Sequence, residues 1–218
     1  MLEAEREAVA WAGRRLAEER LVLGTAGNVS ARDGERIAIS PTGAVLADLE
    51  ADDVPVVDLD GNLVEGRLEP TSELGLHLGV HRRYECGSVV HTHQPIATAL
   101  SCVVDEVPCV HYQMLLLGGT VRVAPYATFG TPELAASVVD ALDGRSAALM
   151  ANHGAVTHAA DPDAALESAL LLEWACSVYW RAAAIGTPRV LDEAERGAVI
   201  EAAVARGYGS TKPIGEGS

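Results

Sequence analysis

Residues 24–40 read GTAGNVSARDGERIAIS, and this stretch decides the class of fold. Val29 and the Ile37–Ile39 pair bracket Asp33-Gly34, a dipeptide that strongly marks a tight β-hairpin. A hairpin joins antiparallel neighbours, so its sheet is not of the all-parallel kind. Upstream, Leu2 to Val22 carries Ala8, Val9, Trp11, Ala12, Leu16 and Leu21 near helical spacing, with Glu and Arg on the other face. Gly24 closes that helix. Downstream, Pro41-Thr42-Gly43 turns the chain, Val54 to Leu59 reads as a third strand, and Asp60-Gly61 forms a second tight turn.

Further along, helices and strands alternate. Thr71 or Ser72 can cap a helix from about Glu73 to Tyr84. Ser88 to His93 reads as a short strand, and Pro95 starts a helix to about Ala99. Val121 to Ala124 is a strand, and Thr131-Pro132-Glu133 opens a helix with proline in its first turn. Ala147 to Ala151 and Ala155 to His158 are strands flanking Asn152-His153-Gly154. Helices from Pro162 to Ala184 and from Asp192 to Ala205 follow. The expectation is an α/β fold: a three-layer α/β/α sandwich around a mixed, largely antiparallel sheet. With no internal repeat or linker, residues 1–218 are expected to form one domain, with the tail from about 207 to 218 mobile unless something binds it.

Composition narrows the function. The 31 Asp and Glu against 16 Lys and Arg give a formal charge of −15, which argues against nucleic acid and anionic membranes as partners. A phosphate site in such a chain has to be made locally from backbone N–H groups and hydroxyls. Cys86, Cys102, Cys109 and Cys176 form no C-x-x-C pair, which fits a reduced, cytoplasmic protein. The charged, amphipathic N-terminus has no signal-peptide h-region, and no apolar run reaches the roughly 18 residues of a membrane span.

Of seven histidines, His91 and His93 stand two apart on an expected strand, so both rings can face one ion. A single H-x-H also occurs in ordinary cores. His153, in the turn Asn152-His153-Gly154, offers a third imidazole where Gly154 allows close backbone approach; three neutral imidazoles with an open position are a usual catalytic zinc arrangement. On spacing alone, His153 is equally well an exposed turn residue. Glu73 opens a helix, where an acidic residue complements the helix dipole, and on the residues alone that reading suffices. His77 and His81 lie one turn apart on the same helix and read as packing or supporting residues. His158 reads as strand filler and His111 as an orienting neighbour of Tyr112. Trp11, Trp174 and Trp180 read as core or subunit contacts.

Three segments can cradle a phosphate: Gly24-Thr25-Ala26-Gly27-Asn28, Ser40-Pro41-Thr42-Gly43, and Thr71-Ser72 at a helix N-terminus. None matches a Walker A loop or G-x-G-x-x-G.

Together these segments resemble the class II aldolase/epimerase family. The resemblance is carried, in order, by Gly24-Thr25-Ala26-Gly27-Asn28-Val29-Ser30, Pro41-Thr42-Gly43, Ser72-Glu73, His91-Thr92-His93, His111-Tyr112, the stretch 124–131 (APYATFGT) and His153-Gly154. It implies a zinc ion, or another divalent cation such as Mn2+ or Co2+, on His91, His93 and His153. Glu73 would be the resting fourth ligand and the catalytic base. It also implies phosphate binding by Thr25, Asn28, Gly43, Thr71 and Ser72, and a C4 homotetramer with active sites at subunit boundaries. Tyr112 would reach a neighbour's site, and Tyr208 in the tail would close over substrate. The implied reaction is retro-aldol cleavage of L-fuculose 1-phosphate, or a related deoxyketose 1-phosphate, to dihydroxyacetone phosphate and L-lactaldehyde or another aldehyde. One departure is Thr71 where the family's aldolases typically carry a serine. Sister chemistries are a pentulose-phosphate 4-epimerase, a thiopentulose-phosphate dehydratase and a 5-deoxypentulose-1-phosphate aldolase. A non-catalytic adaptor on the same fold is expected to have lost the three histidines and the glutamate, all of which stand here.

Overall fold

The structure is a computed structural model, and it describes residues 1–208. The expected tail therefore lies mostly outside the described residues. Among the described residues nine strands form one sheet: β1 (Asn28–Asp33), β2 (Arg36–Ile39), β3 (Val56–Asp58), β4 (Leu63–Glu65), β5 (Ser88–Thr92), β6 (Glu106–Val107), β7 (Val121–Ala124), β8 (Ala147–Met150) and β9 (Gly154–Ala159). Their spatial order is β4-β3-β2-β1-β5-β9-β8-β7-β6. Every pairing is antiparallel except β7 with β8. The mixed, largely antiparallel sheet is thus as the hairpin implied, although the turn is Gly34-Glu35, one residue later than Asp33-Gly34, with Asp33 paired to Arg36.

Among the described residues there are six α-helices: α1 (Glu3–Glu18), α2 (Leu74–Tyr84), α3 (Pro95–Ser101), α4 (Pro132–Ala141) and α5 (Pro162–Ile185) pack on the sheet, while α6 (Glu193–Arg206) buries no residue and meets the 3-10 segment at Tyr112–Leu117. Strand alternation sorts the layers. On β8, Ala147 and Leu149 pack with α3 and α5, whereas Ala148 and Met150 pack with α2 and α4. On β5, Val90 joins the α1 and α5 side and Val89 the α2 and α4 side. Both faces of β5 and β8 are buried, and β8, reading AALM, is apolar throughout.

The same alternation aims the polar residues. Val29 and Ala31 of β1 point toward α1 and α5, so Asn28 and Ser30 point toward α2. His91 shares the face of Val89. The register places Asn28 directly opposite His91, so one face of β1 and β5 carries a line of polar groups beneath the start of α2.

Several expectations are corrected. The first helix stops at Glu18, because the C-cap Glu19 and the left-handed Arg20 turn the chain before Gly24. Thr71 and Ser72 do not supply the N-cap of α2, which is Glu73; the Thr71 hydroxyl instead accepts from the Glu73 N–H at 3.3 Å. Trp11, Trp174 and Trp180 are not core residues, being 38%, 42% and 48% exposed. Two very short strands, β4 and β6, and a 3-10 segment at Tyr112–Leu117 carry too few residues to leave a period in the sequence.

Candidate active site

Three elements bring the imidazoles together. His91 is on β5, His93 lies just past its end, and His153 sits in the β8–β9 turn. That turn depends on Asn152, which adopts left-handed φ of 56°, a conformation Asn tolerates better than most residues. Gly154 matters for space: a Cβ there would run into the Thr92 carbonyl oxygen and stand 3.3 Å from His93 Cδ2.

One ring nitrogen from each of His91, His93 and His153 lies within 4.8 Å of the others, a group that can hold a metal ion. Glu73 closes the fourth side, with Oε2 3.2 Å from His91 Nε2 and Oε1 3.5 Å from His153 Nε2. The donor set can be tested by its hydrogens. His91 Nδ1 faces the Ala155 carbonyl at 2.9 Å, so the hydrogen of a neutral ring sits there and Nε2 presents a bare lone pair. That lone pair meets His93 Nε2 at 2.9 Å as well as the carboxylate. Lone pairs so close repel unless a cation or a proton lies between them. Glu73 Oε1 is buried and accepts no hydrogen bond from the described residues. The residues present therefore fit a divalent cation, and imidazoles with a carboxylate are a donor set suited to zinc.

Electrostatics agree. Burial pushes the His93 ring down to about 4, with the charge of His91 next, and burial also lowers His153; both are neutral, as ligands must be. Burial alone would raise the Glu73 carboxyl; when a proton rather than a cation sits on His91 Nε2, the hydrogen bond and charge of that ring, then the Asn28 amide, hold it well below the ordinary carboxylate range. Glu73 is ionised.

The cluster opens into a cavity of about 310 Å3 whose lining includes Glu73, His93 and His153. All five residues expected at a phosphate line it too: Thr25, Asn28, Gly43, Thr71 and Ser72. The Asn28 side chain is turned inward, donating to Glu73 Oε2 at 2.9 Å and Thr71 Oγ1 at 3.2 Å. Tyr126 and Phe129 stand at the cavity's edge, 66% and 64% exposed. Gly130, at φ 74°, lets that loop approach the Ser72 carbonyl. Nothing in local spacing marked Tyr126 or Phe129.

Tyr112 and Tyr208 are not among the residues lining this cavity. Their hydroxyls lie 3.2 Å from one another, both exposed. His111 packs against Tyr112 with ring centroids 4.5 Å apart, and its Nδ1 accepts from the Gln113 N–H. Within one chain, then, the described residues bring together three imidazoles, a carboxylate and a hydroxyl cradle but neither tyrosine.

Residues 7–180 match the family described as Class II Aldolase and Adducin N-terminal domain. A 5-deoxy-D-ribulose 1-phosphate aldolase of Bacillus thuringiensis serovar kurstaki is 36% identical, covering 89% of this chain and 93% of that one. A 5-methylthioribulose-1-phosphate/5-deoxyribulose-1-phosphate aldolase of Rhodospirillum rubrum is 38% identical over 85% of each. A solved L-fuculose 1-phosphate aldolase superposes with a TM-score of 0.88 at 34% identity, covering 91% of this chain and 95% of that one. The chain belongs to the class II aldolase family.

Proposed function

We propose that this protein is a metal-dependent aldolase that cleaves deoxyketose 1-phosphates ending in a methyl group, releasing dihydroxyacetone phosphate and a short aldehyde. L-Fuculose 1-phosphate, giving L-lactaldehyde, and 5-deoxyribulose 1-phosphate, giving acetaldehyde, are the two substrates put forward; similar relatives act on each. The observation that carries the reading is Glu73 Oε1, buried and without a hydrogen-bond partner among the described residues, beside three converging imidazoles at the end of a hydroxyl-lined cavity.

His91, His93 and His153 hold the cation, with Glu73 as the resting fourth ligand. Zinc suits this set, with Mn2+ and Co2+ as alternatives. When bound, the cation supplies charge stabilisation for the oxygen that becomes anionic as the substrate's C3–C4 bond breaks. The chain's own groups do the rest. Thr25, Asn28, Gly43, Thr71 and Ser72 bind the phosphate and so fix the reacting carbons. The C4 hydroxyl gives its proton to Tyr112 as the phenol's own hydrogen passes to solvent, and the electron pair of the C3–C4 bond stays with the three-carbon fragment. Glu73, having taken up a proton from solvent, then delivers it to C3 and returns to the carboxylate, so one proton is released and one taken up.

The separation of Tyr112 and Tyr208 from the cavity supports a C4 homotetramer, in which both reach a neighbour's site. Glu73→Gln and Tyr112→Phe are then each impaired alone. Mixed and reassembled, they regain activity, up to about a quarter of wild type for random four-subunit rings. No recovery after verified subunit exchange contradicts the shared site. Among the described residues no helix is long and apolar enough to cross a membrane, and the four cysteines are unpaired. The thiols support placement in the cytoplasm.

The two sugars differ only at the aldehyde end, and such differences usually change kcat/KM by about 10–200-fold. Purified protein should therefore cleave both, within about 200-fold of each other. Return of a pentulose phosphate inverted at C4, without dihydroxyacetone phosphate, would favour the epimerase instead. An adaptor has no use for the four ligating groups present here.

A further inference from the structure

β5 ends at Thr92, so His93 lies one residue beyond the ladder, and α3 begins two residues further on at Pro95. The His93 backbone N–H donates to the Leu21 carbonyl at 3.0 Å, an atom of the loop after α1. The chain just past His93 is held from α5. Gln94, fully buried, takes the Thr92 hydroxyl on its side-chain oxygen and donates its NH2 group to the Ala169 carbonyl at 3.2 Å. One helical turn on from Ala169, Glu173 sets its carboxylate against the first turn of α3. Oε1 accepts from the Ile96 N–H and Oε2 from the Ala97 N–H, each at 2.9 Å.

These two bonds complete a helix start that has no cap of its own. Gln94 stands at the N-cap position without a side-chain cap bond, and Pro95 brings no N–H. The Thr98 N–H reaches the Gln94 carbonyl at 3.0 Å. The Ile96 and Ala97 N–H groups are the two left over, and Ala97 is fully buried. A buried donor without an acceptor is costly, so loss of the carboxylate drives the start of α3 toward water. The far end of the same helix bears on a second imidazole: the Ser101 carbonyl accepts from the Asn152 N–H at 3.4 Å, in the turn that carries His153. α3 thus runs from His93 to the His153 turn.

We propose that Glu173 is a positioning residue of the metal centre: its two bonds to the start of α3 set His93, and through the length of α3 the His153 turn, against His91. Glu173 is not among the residues lining the cavity and acts only through the backbone it holds. The inference rests on the metal site assigned above, and not on the sugar cleaved there.

Purified wild type, Glu173→Ala and Glu173→Gln are compared for Co2+ affinity by chelator competition, for the visible absorption of the bound Co2+, and for unfolding midpoint. Glu173→Ala should bind Co2+ about 10–100-fold more weakly, the usual cost of losing a residue that supports a ligand. Its Co2+ bands should shift, because His93 changes its place in the ligand field. Glu173→Gln, which keeps one acceptor oxygen, should fall between wild type and Glu173→Ala in both. Val57→Ala serves as the control: it opens a cavity on β3, away from α3, and should lower the unfolding midpoint while Co2+ affinity stays within about 3-fold of wild type. Wild-type affinity and bands in Glu173→Ala overturn the proposal. So does an equal loss of affinity in Val57→Ala, which would make the effect one of general loosening. Should Glu173→Ala fail to fold, Glu173→Gln decides, and wild-type affinity there refutes the proposal. A wild type that binds Co2+ but cleaves no ketose 1-phosphate sinks the assigned reaction and leaves the affinity and spectra to decide this inference; a wild type that binds no Co2+ overturns both.

Discussion

Glu73→Gln turns over about 10²–10⁴-fold more slowly than wild type, the range for removing a positioned proton-transfer group, and still takes up its metal. The amide keeps the shape of the side chain and one acceptor oxygen, so the three imidazoles retain their places. What is lost is the charge and the ability to carry a proton. In the structure Oε1 is buried without a hydrogen-bond partner among the described residues, 3.5 Å from His153 Nε2, and the carboxyl is held ionised. Turnover measured beside metal content separates the roles. Near-normal turnover excludes Glu73 as the proton carrier, whereas parallel loss of both reduces it to a ligand.

Gly154→Ala, although small, has the second large effect. The added methyl falls against the Thr92 carbonyl oxygen, a backbone atom of the β5–β9 ladder that cannot swing aside, and stands 3.3 Å from the His93 ring. Overpacking of this kind costs about 1–3 kcal/mol and occasionally more. Relief requires β9 to move away from β5, which separates His153 from His91 and His93. Metal affinity should fall about 100-fold or more, the upper end for a residue that acts on ligand placement. Denaturant titration and chelator competition check the two effects. A variant with wild-type stability and affinity would show that the turn tolerates the methyl.

How much of this was legible in the sequence depends on the kind of signal. The hairpin at Asp33-Gly34 and the prolines at 95, 132 and 162 set strand and helix starts close to where they lie, because turns and first helical turns are decided by local chemistry. His91, His93 and Glu73 could be picked out by type and spacing. Their convergence with His153, however, is a product of sheet order: β9 lies beside β5 across some sixty residues of chain. Asn28 shows the limit most clearly. In the sequence it belongs to a glycine-rich turn suited to phosphate; in the fold the β1–β5 register sets it opposite His91, with its amide turned onto Glu73. For the tryptophans only the core half of the expectation is ruled out, since a helical period finds an apolar face without saying whether the same chain or a second copy covers it. Tyr112 and Tyr208, together and away from the cavity, pose that question at the active site itself.

The central claim is that His91, His93, His153 and Glu73 form a metal-dependent aldolase site, and its most direct test is cleavage before and after metal removal. Purified protein is assayed on L-fuculose 1-phosphate and 5-deoxyribulose 1-phosphate with coupled detection of dihydroxyacetone phosphate, then again after chelation and after zinc is returned. The account predicts release of dihydroxyacetone phosphate that chelation abolishes and zinc restores, with one metal per chain. Cleavage indifferent to chelation, or a protein that takes up no metal, would contradict it.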